Sequence, residues 1–306
     1  MRKATVIGVG SLGSCISYEV ASRGIVDELV LIDIYKELAE GNAEDIEQAL
    51  AFRNNTKVYA GDYDAADGSD LIIVTAGKPR TQEMKSRMDL LKVNKAIIQG
   101  VASKLKDVEG DFVVITLTNP VDLMNYLMWK YTGFDRRRIL GSAGQLDSSR
   151  FKVALSRRYG TPVLDIEAYV IGEHGENQVP VFSKVKFRGK EKKFTEKERE
   201  EIEKEIKESA LRVISKKGAT IYAPANNTAN VIQEILRDEK RLATCSVILN
   251  GEYGLRDISI GVPAIVGRRG VEKVSEWELA EKEKEIFYLG AGKIKETIEQ
   301  LTADIK

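Results

Sequence analysis

The chain has 306 residues, 43% apolar and 31% charged, with 47 Lys+Arg against 47 Asp+Glu. That size fits one large or two ordinary globular domains with core enough to need no staples, and the composition excludes collagen-like, disordered and disulfide-scaffold classes. A zero charge balance argues against nucleic acid as a partner, because neutralising phosphates needs an excess of Lys and Arg.

Two cysteines, Cys15 and Cys245, form neither a CxxC nor a zinc spacing. The one histidine, His174, rules out a multi-histidine metal site, so no metal is expected. Met1–Tyr18 has the outline of a signal peptide, but Gly8, Gly10, Gly13 and Glu19 interrupt it. With no run of 18 apolar residues there is no expected membrane span. Unpaired thiols suit a cytoplasmic protein.

In chain order, Ala4–Val9 reads as a strand, Leu12–Arg23 as a helix, Glu28–Asp33 as a strand and Lys36–Phe52 as a helix. Leu71–Thr75 is the next strand, followed by a helix at Leu90–Leu105 and a strand at Phe112–Thr116. Strands alternating with helices, and apolar on both faces, predict an α/β fold with a doubly wound parallel sheet. From about Leu146 the rhythm changes. A helix (Leu146–Tyr159) precedes a strand (Ile166–Ile171), a Gly-rich turn and a hairpin around Lys184–Lys192.

Thr195 with Glu198 predicts a capping box on a charged helix reaching Lys217, with Ile202, Ile206 and Ala210 as its buried stripe. Strands at Leu242–Asn250 and Ile258–Val266 follow. Ser275 and Glu278 are candidate caps for a last amphipathic helix carrying Ile286, Leu289, Ile294 and Ile298. The expected division is a dinucleotide-binding domain over 1–142 fused to an α+β substrate domain over 143–306.

Gly8-Val9-Gly10-Ser11-Leu12-Gly13 is a GxGxxG between the first strand and the first helix. Gly8 permits the turn, Gly10 the approach of a pyrophosphate, and Gly13 close helix–strand packing. Asp33, 20 residues beyond Gly13, ends the second strand. A carboxylate there accepts ribose hydroxyls and repels a 2′-phosphate, favouring NAD, with NADP the weaker alternative near Lys36. The segment Thr75–Arg87 follows a parallel strand and is hinged at Gly77, as a lid would be. Asn119 ends another parallel strand at the same edge. Asp147 and Arg150 share one helix face, and the glycines flanking Glu173-His174 point to an exposed ring.

GVGSLG, the Asp33 strand end, VTAG, TNPVD, LDSSRF, GEHG and KGATIYAPA, in that order, resemble the lactate/malate dehydrogenase family over nearly the whole chain. The similarity is greatest to the malate-type members nearest the lactate enzymes. The resemblance implies a Rossmann domain fused to an α+β domain, and reversible hydride transfer between malate and NAD⁺ giving oxaloacetate and NADH. It implies His174 as the general acid/base and Asp147 as the carboxylate orienting it.

The same resemblance makes Arg150 the clamp on the substrate carboxylate, Arg87 the residue polarising the carbonyl, and Arg80 the reader of the substrate's far end. Asn119 touches nicotinamide and substrate, and Thr220 lies at the pocket wall. Gly8, Gly10, Ser11, Leu12, Gly13, Asp33, Thr75, Ala76, Gly77 and Asn94 contact the cofactor. The lid departs from the family pattern: Thr81-Gln82-Glu83 replaces a Lys-Pro-Gly, and Arg80 and Arg87 stand seven apart, one more than the pattern. Three arginines around one titrating group match a C4 dicarboxylate; a lactate site would hold a neutral residue at Arg80. A metal-requiring glycosidase on this architecture would need a Cys/His pair near the nicotinamide, which the sequence does not offer. A homo-oligomer is expected, a tetramer ahead of a dimer.

Overall fold

The computed structural model describes residues 1–78 and 90–302, and the backbone of 87–89. In the first half, β1 (Lys3–Ile7), α1 (Ser11–Ser22), β2 (Glu28–Ile32), α2 (Lys36–Leu50), β3 (Lys57–Ala60) and β4 (Leu71–Val74) succeed one another. Then come α3 (Arg87–Leu105), β5 (Val113–Thr116), α4 (Val121–Thr132) and β6 (Ile139–Gly141). The strands lie parallel in the order β3-β2-β1-β4-β5-β6, the doubly wound arrangement the alternation predicts. β4 and β5 are buried along their whole length, which is why they read as unbroken apolar runs.

The second half holds α5 (Gly144–Tyr159), β7 (Ile166–Glu167), β8 (Val170–Gly172), β9 (Gln178–Pro180), β10 (Lys186–Phe187) and β11 (Lys190–Glu191). After these come α6 (Glu196–Lys217), α7 (Tyr222–Leu236), β12 (Arg241–Asn250), β13 (Arg256–Gly267), β14 (Gly270–Val274) and α8 (Glu281–Thr302). β12 pairs antiparallel with β6, Ser246 opposite Gly141, so the sheet runs on through β13, β8 and β9. The two halves are fused through a shared sheet. A separate cluster of Phe151, Leu155, Phe182, Ile202 and Ile206 seats α6 against α5. The Thr195–Glu198 capping box forms as predicted, and Ile202 and Ile206 are buried while Ala210 is only partly so.

Several expectations need correction. The single strand read over Ile166–Ile171 is two: β7 belongs to a small sheet with β10 and β11, while β8 joins the large one. A chain changing sheets has no periodicity break to betray it when both pieces are apolar. The last helix begins at Glu281, so neither Ser275 nor Glu278 caps it. Instead the buried Glu283 accepts the Ala280 N–H at 3.0 Å and also the Ser183 N–H at 2.9 Å and hydroxyl at 2.6 Å. Leu289 is 54% exposed, because the buried stripe runs through Phe287, Gly290, Ile294 and Ile298.

Glu283→Ala is expected to lower stability by about 2 kcal/mol or more, since it orphans donors at two elements at once. Denaturant unfolding measures this; a loss under about 0.5 kcal/mol would show that water replaces the carboxylate.

Candidate active site

Ile7 pairs with Ile32 on one side and Val74 on the other, so Gly8, Asp33 and Thr75 emerge side by side at the carboxyl edge. Gly8 has φ +92°, and a side chain there would collide with the Ala76 backbone. At Gly13 a Cβ would run into the Gly8 carbonyl and the Thr75 hydroxyl, which itself donates to that carbonyl. Around Gly10 nothing lies within 4 Å of a Cβ position. Gly10 and Ser11 are exposed, Leu12 is partly buried, and Gly10 offers α1 no side-chain cap. Open space beside uncapped helix N–H groups fits a pyrophosphate. The Asp33 carboxylate is oriented by the Val9 N–H at 2.8 Å and the Tyr35 N–H at 3.0 Å.

Two further loops meet at this edge. The Thr118 hydroxyl donates to the Ala76 carbonyl at 2.6 Å, and Gly77 packs so closely on Thr118 that a Cβ would clash. Asn94, buried in α3, accepts the Lys78 N–H at 2.9 Å and donates to the Asn119 carbonyl at 2.7 Å. Its amide thus ties the loop after β4 to the loop after β5. The Asn119 residue itself is exposed. Arg80 lies outside the described residues; Arg87 opens α3, with its side chain outside them.

His174 stands two residues beyond β8, after a turn at Gly172 with φ +85°. Its Nδ1 lies 2.6 Å from Asp147 Oδ2, and Arg150 Nη1 donates to Asp147 Oδ1 at 3.0 Å. Asp147 is 3% exposed, in the first turn of α5. The His174 side chain is only 22% exposed, not the exposed ring expected from its glycine neighbours, because two acidic residues grip it. Besides Asp147 at the ring, Asp122 Oδ2 accepts the His174 main-chain N–H at 2.8 Å. Burial pulls the imidazole toward its neutral form, but Asp147 and, less strongly, Asp122 outweigh it, leaving the pKa above the ordinary value for histidine.

The ring also borders a cavity of about 180 Å³, lined by Asp122, Leu123, Glu176 and Lys293 among others. Thr220 Oγ1 is buried with no hydrogen-bond partner among the described residues, as a group awaiting a ligand would be. The fold therefore brings His174, Asp147 and Arg150 into contact and gathers the predicted dinucleotide residues at the edge of the parallel sheet. Asp122, within the TNPVD motif, and its partner Ser246 are functional neighbours that the sequence alone does not single out. The acidic residue two places after the Asn119-Pro120 turn was the available signal for the first; nothing in the sequence marks the second.

The family model described as lactate/malate dehydrogenase, NAD binding domain matches residues 2–141, and the one described as lactate/malate dehydrogenase, alpha/beta C-terminal domain matches residues 144–305. The chain is 42% identical to a malate dehydrogenase of Halobacterium salinarum, over 96% of this chain and 97% of that one. A minor L-lactate dehydrogenase from Enterococcus mundtii superposes with a TM-score of 0.94 at 30% identity, covering 98% of each chain. A malate dehydrogenase from Salinibacter ruber does so with a TM-score of 0.91 at 32% identity, covering 99% of each.

Gly10 and Gly13 make different demands. Gly13→Ala is expected to cost about 1–3 kcal/mol of stability by forcing α1 from β1. Gly10→Ala is expected to cost at most about 1 kcal/mol while weakening NADH binding. Unfolding curves and fluorescence titration separate the two; equal stability losses would contradict the packing assigned to Gly13.

Proposed function

This chain belongs to the lactate/malate dehydrogenase family, and on that premise we infer that it is an NAD-dependent malate dehydrogenase, interconverting malate and oxaloacetate. The observation that carries the chemistry is the buried Asp147 joining His174 to Arg150 beside the dinucleotide edge. Bound NAD supplies the acceptor or donor of hydride; Gly8, Gly10, Ser11, Leu12, Gly13, Asp33, Thr75, Ala76, Gly77, Asn94 and Asn119 are the residues we assign to holding it. For Asn94 that role runs through the loops it ties together.

With Nδ1 engaged by Asp147, Nε2 of His174 is the nitrogen left to exchange a proton with the substrate oxygen. Arg150 uses one amino group on Asp147, and the rest of its planar fork is suited to a carboxylate. Thr220 completes the pocket wall. We assign Arg87 to the carbonyl oxygen and Arg80 to the second carboxylate, on the family pattern of the lid. Asp33 supports NAD as the cofactor, with NADP as a weaker alternative. We further propose that the protein is cytoplasmic and divides between residues 142 and 143, the gap between the two family matches. We also propose a homo-oligomer, a tetramer before a dimer. Exposed apolar side chains support it: Ile34, Tyr35, Leu38 and Phe52 around α2, and Leu211 and Ile214 on α6.

His174→Asn tests the central role. Turnover of oxaloacetate is expected to fall about 10²–10⁴-fold while NADH binding persists. In the unaltered enzyme, oxaloacetate reduction needs the imidazolium, so its kcat/KM should fall as pH rises through a value above about 6.5, and malate oxidation should rise over the same range. Wild-type turnover by the variant between pH 6 and 8 would contradict the assignment.

Arg80→Gln is expected to lower kcat/KM for oxaloacetate at least about tenfold while pyruvate turnover holds or rises, because truncating one partner of a buried charge pair costs about 2–5 kcal/mol. An unchanged ratio of the two substrates would move the second-carboxylate contact to Lys78 or Lys85.

A further inference from the structure

Asp122 stands in the first turn of α4, only 4% exposed, where the helix N-terminus favours negative charge. One oxygen takes the main-chain N–H of His174 at 2.8 Å; the other accepts the Ser246 hydroxyl. Ser246 Oγ lies 2.9 Å from Ser259 Oγ, which accepts from Asn125 Nδ2 at 2.9 Å. These partners are all buried, and they come from α4, β12 and β13. The His174 turn is therefore anchored by a polar chain that leaves a helix of the dinucleotide half at Asp122, crosses β12 and β13, and returns to the same helix at Asn125.

We propose that Asp122 is a positioning residue for the reaction: its carboxylate fixes the His174 turn through the main chain and adds a second negative charge near the imidazolium. The inference rests on His174 being the acid/base. An amide could accept the His174 N–H and donate to Ser246 once that hydroxyl turns to donate to Ser259, so what the acid alone contributes is charge. Burial in this position is costly for a carboxylate unless it is paired and bonded.

Among the described residues, the groups facing His174 or the cavity it borders are Asp147 and Arg150 from α5, Asp122 from α4, Glu173 and Glu176 from its own turn, and Lys293 from α8. Burial drives the Asp122 carboxyl up to about 6, against the opposing hydrogen bonds from Ser246 and the His174 N–H. It is therefore ionised at pH 7 and above, where its charge reinforces that of Asp147.

The test uses the full-length enzyme with three variants, Asp122→Asn, Asp122→Ala and His174→Asn. Asp122→Asn keeps the shape and removes the charge. The pH midpoints of kcat/KM for oxaloacetate reduction and for malate oxidation should both move down by about one unit, a tenfold loss of proton affinity. Asp122→Ala also frees the turn, and its kcat should lie at least tenfold below that of Asp122→Asn, with NADH affinity within twofold of wild type. A purely structural role would lower activity without moving the midpoints. Unmoved midpoints in Asp122→Asn, alongside an inactive His174→Asn, overturn the inference alone. An active His174→Asn overturns the reading beneath it. Should Asp122→Ala fail to fold, the midpoints of Asp122→Asn still decide.

Discussion

Both oxygens of the Asp147 carboxylate are engaged, one by the imidazole of His174 at 2.6 Å and the other by the guanidinium of Arg150 at 3.0 Å. On the roles proposed for them, the group that orients the proton donor is also the group that aims the carboxylate clamp. Burying a carboxylate this deeply is costly unless it is paired and hydrogen-bonded, and here two partners share it. Loss of that carboxylate would release the ring tautomer, the ring orientation and one edge of the arginine fork together. The placement of His174 relative to Arg150 is therefore set by their shared hold on Asp147 of α5.

The remainder of the second half serves to hold α5 and the His174 turn at a fixed separation. Ser148, next to Asp147, accepts the Val170 N–H at 2.9 Å and donates to the Gly144 carbonyl at 2.7 Å. α5 is thereby bonded to β8, the strand that delivers His174. At the same place Gly144 lies so close to the Thr244 carbonyl that a Cβ would clash, and Gly261 is equally tight against Gly172. These contacts seat α5 on β12 and β8 on β13. Because β12 also pairs with β6, the strands that carry the His174–Asp147 pair and the dinucleotide edge belong to one continuous sheet. Relative placement of cofactor and proton donor is then a matter of sheet geometry.

Sequence reasoning found the parts governed by local spacing. GxGxxG followed by Asp33, the Thr195–Glu198 cap and the alternating first half are all legible because each depends on residues within a few turns of one another. β3 escaped because Lys57–Ala60, buried only at Val58, lacks the unbroken apolar run that marks β4 and β5, and β6 because three residues carry no period. α4 escaped because its face is buried nearly all round, which erases amphipathicity. α7 escaped for a different reason: Pro224, Asn226 and Asn227 read as loop chemistry, yet the proline falls in the first turn, where a missing N–H is harmless. In the site, the single histidine was conspicuous. Its pairing with Asp147 spans 27 residues, and the Asp122–Ser246 bond spans 124. No local rule reaches that far; family resemblance supplied the first pairing, and only the fold revealed the second.

The presence of one histidine in the chain makes the central interaction directly observable. Imidazole resonances followed by NMR through a pH titration of the full-length protein report His174 alone, with no assignment problem. The expected result is a midpoint above the ordinary histidine value of about 6.5, falling when Asp147 is replaced by asparagine while the fold is retained. A midpoint at or below that ordinary value in the unaltered protein, or one indifferent to Asp147→Asn, would contradict the claim that this buried carboxylate holds the proton donor.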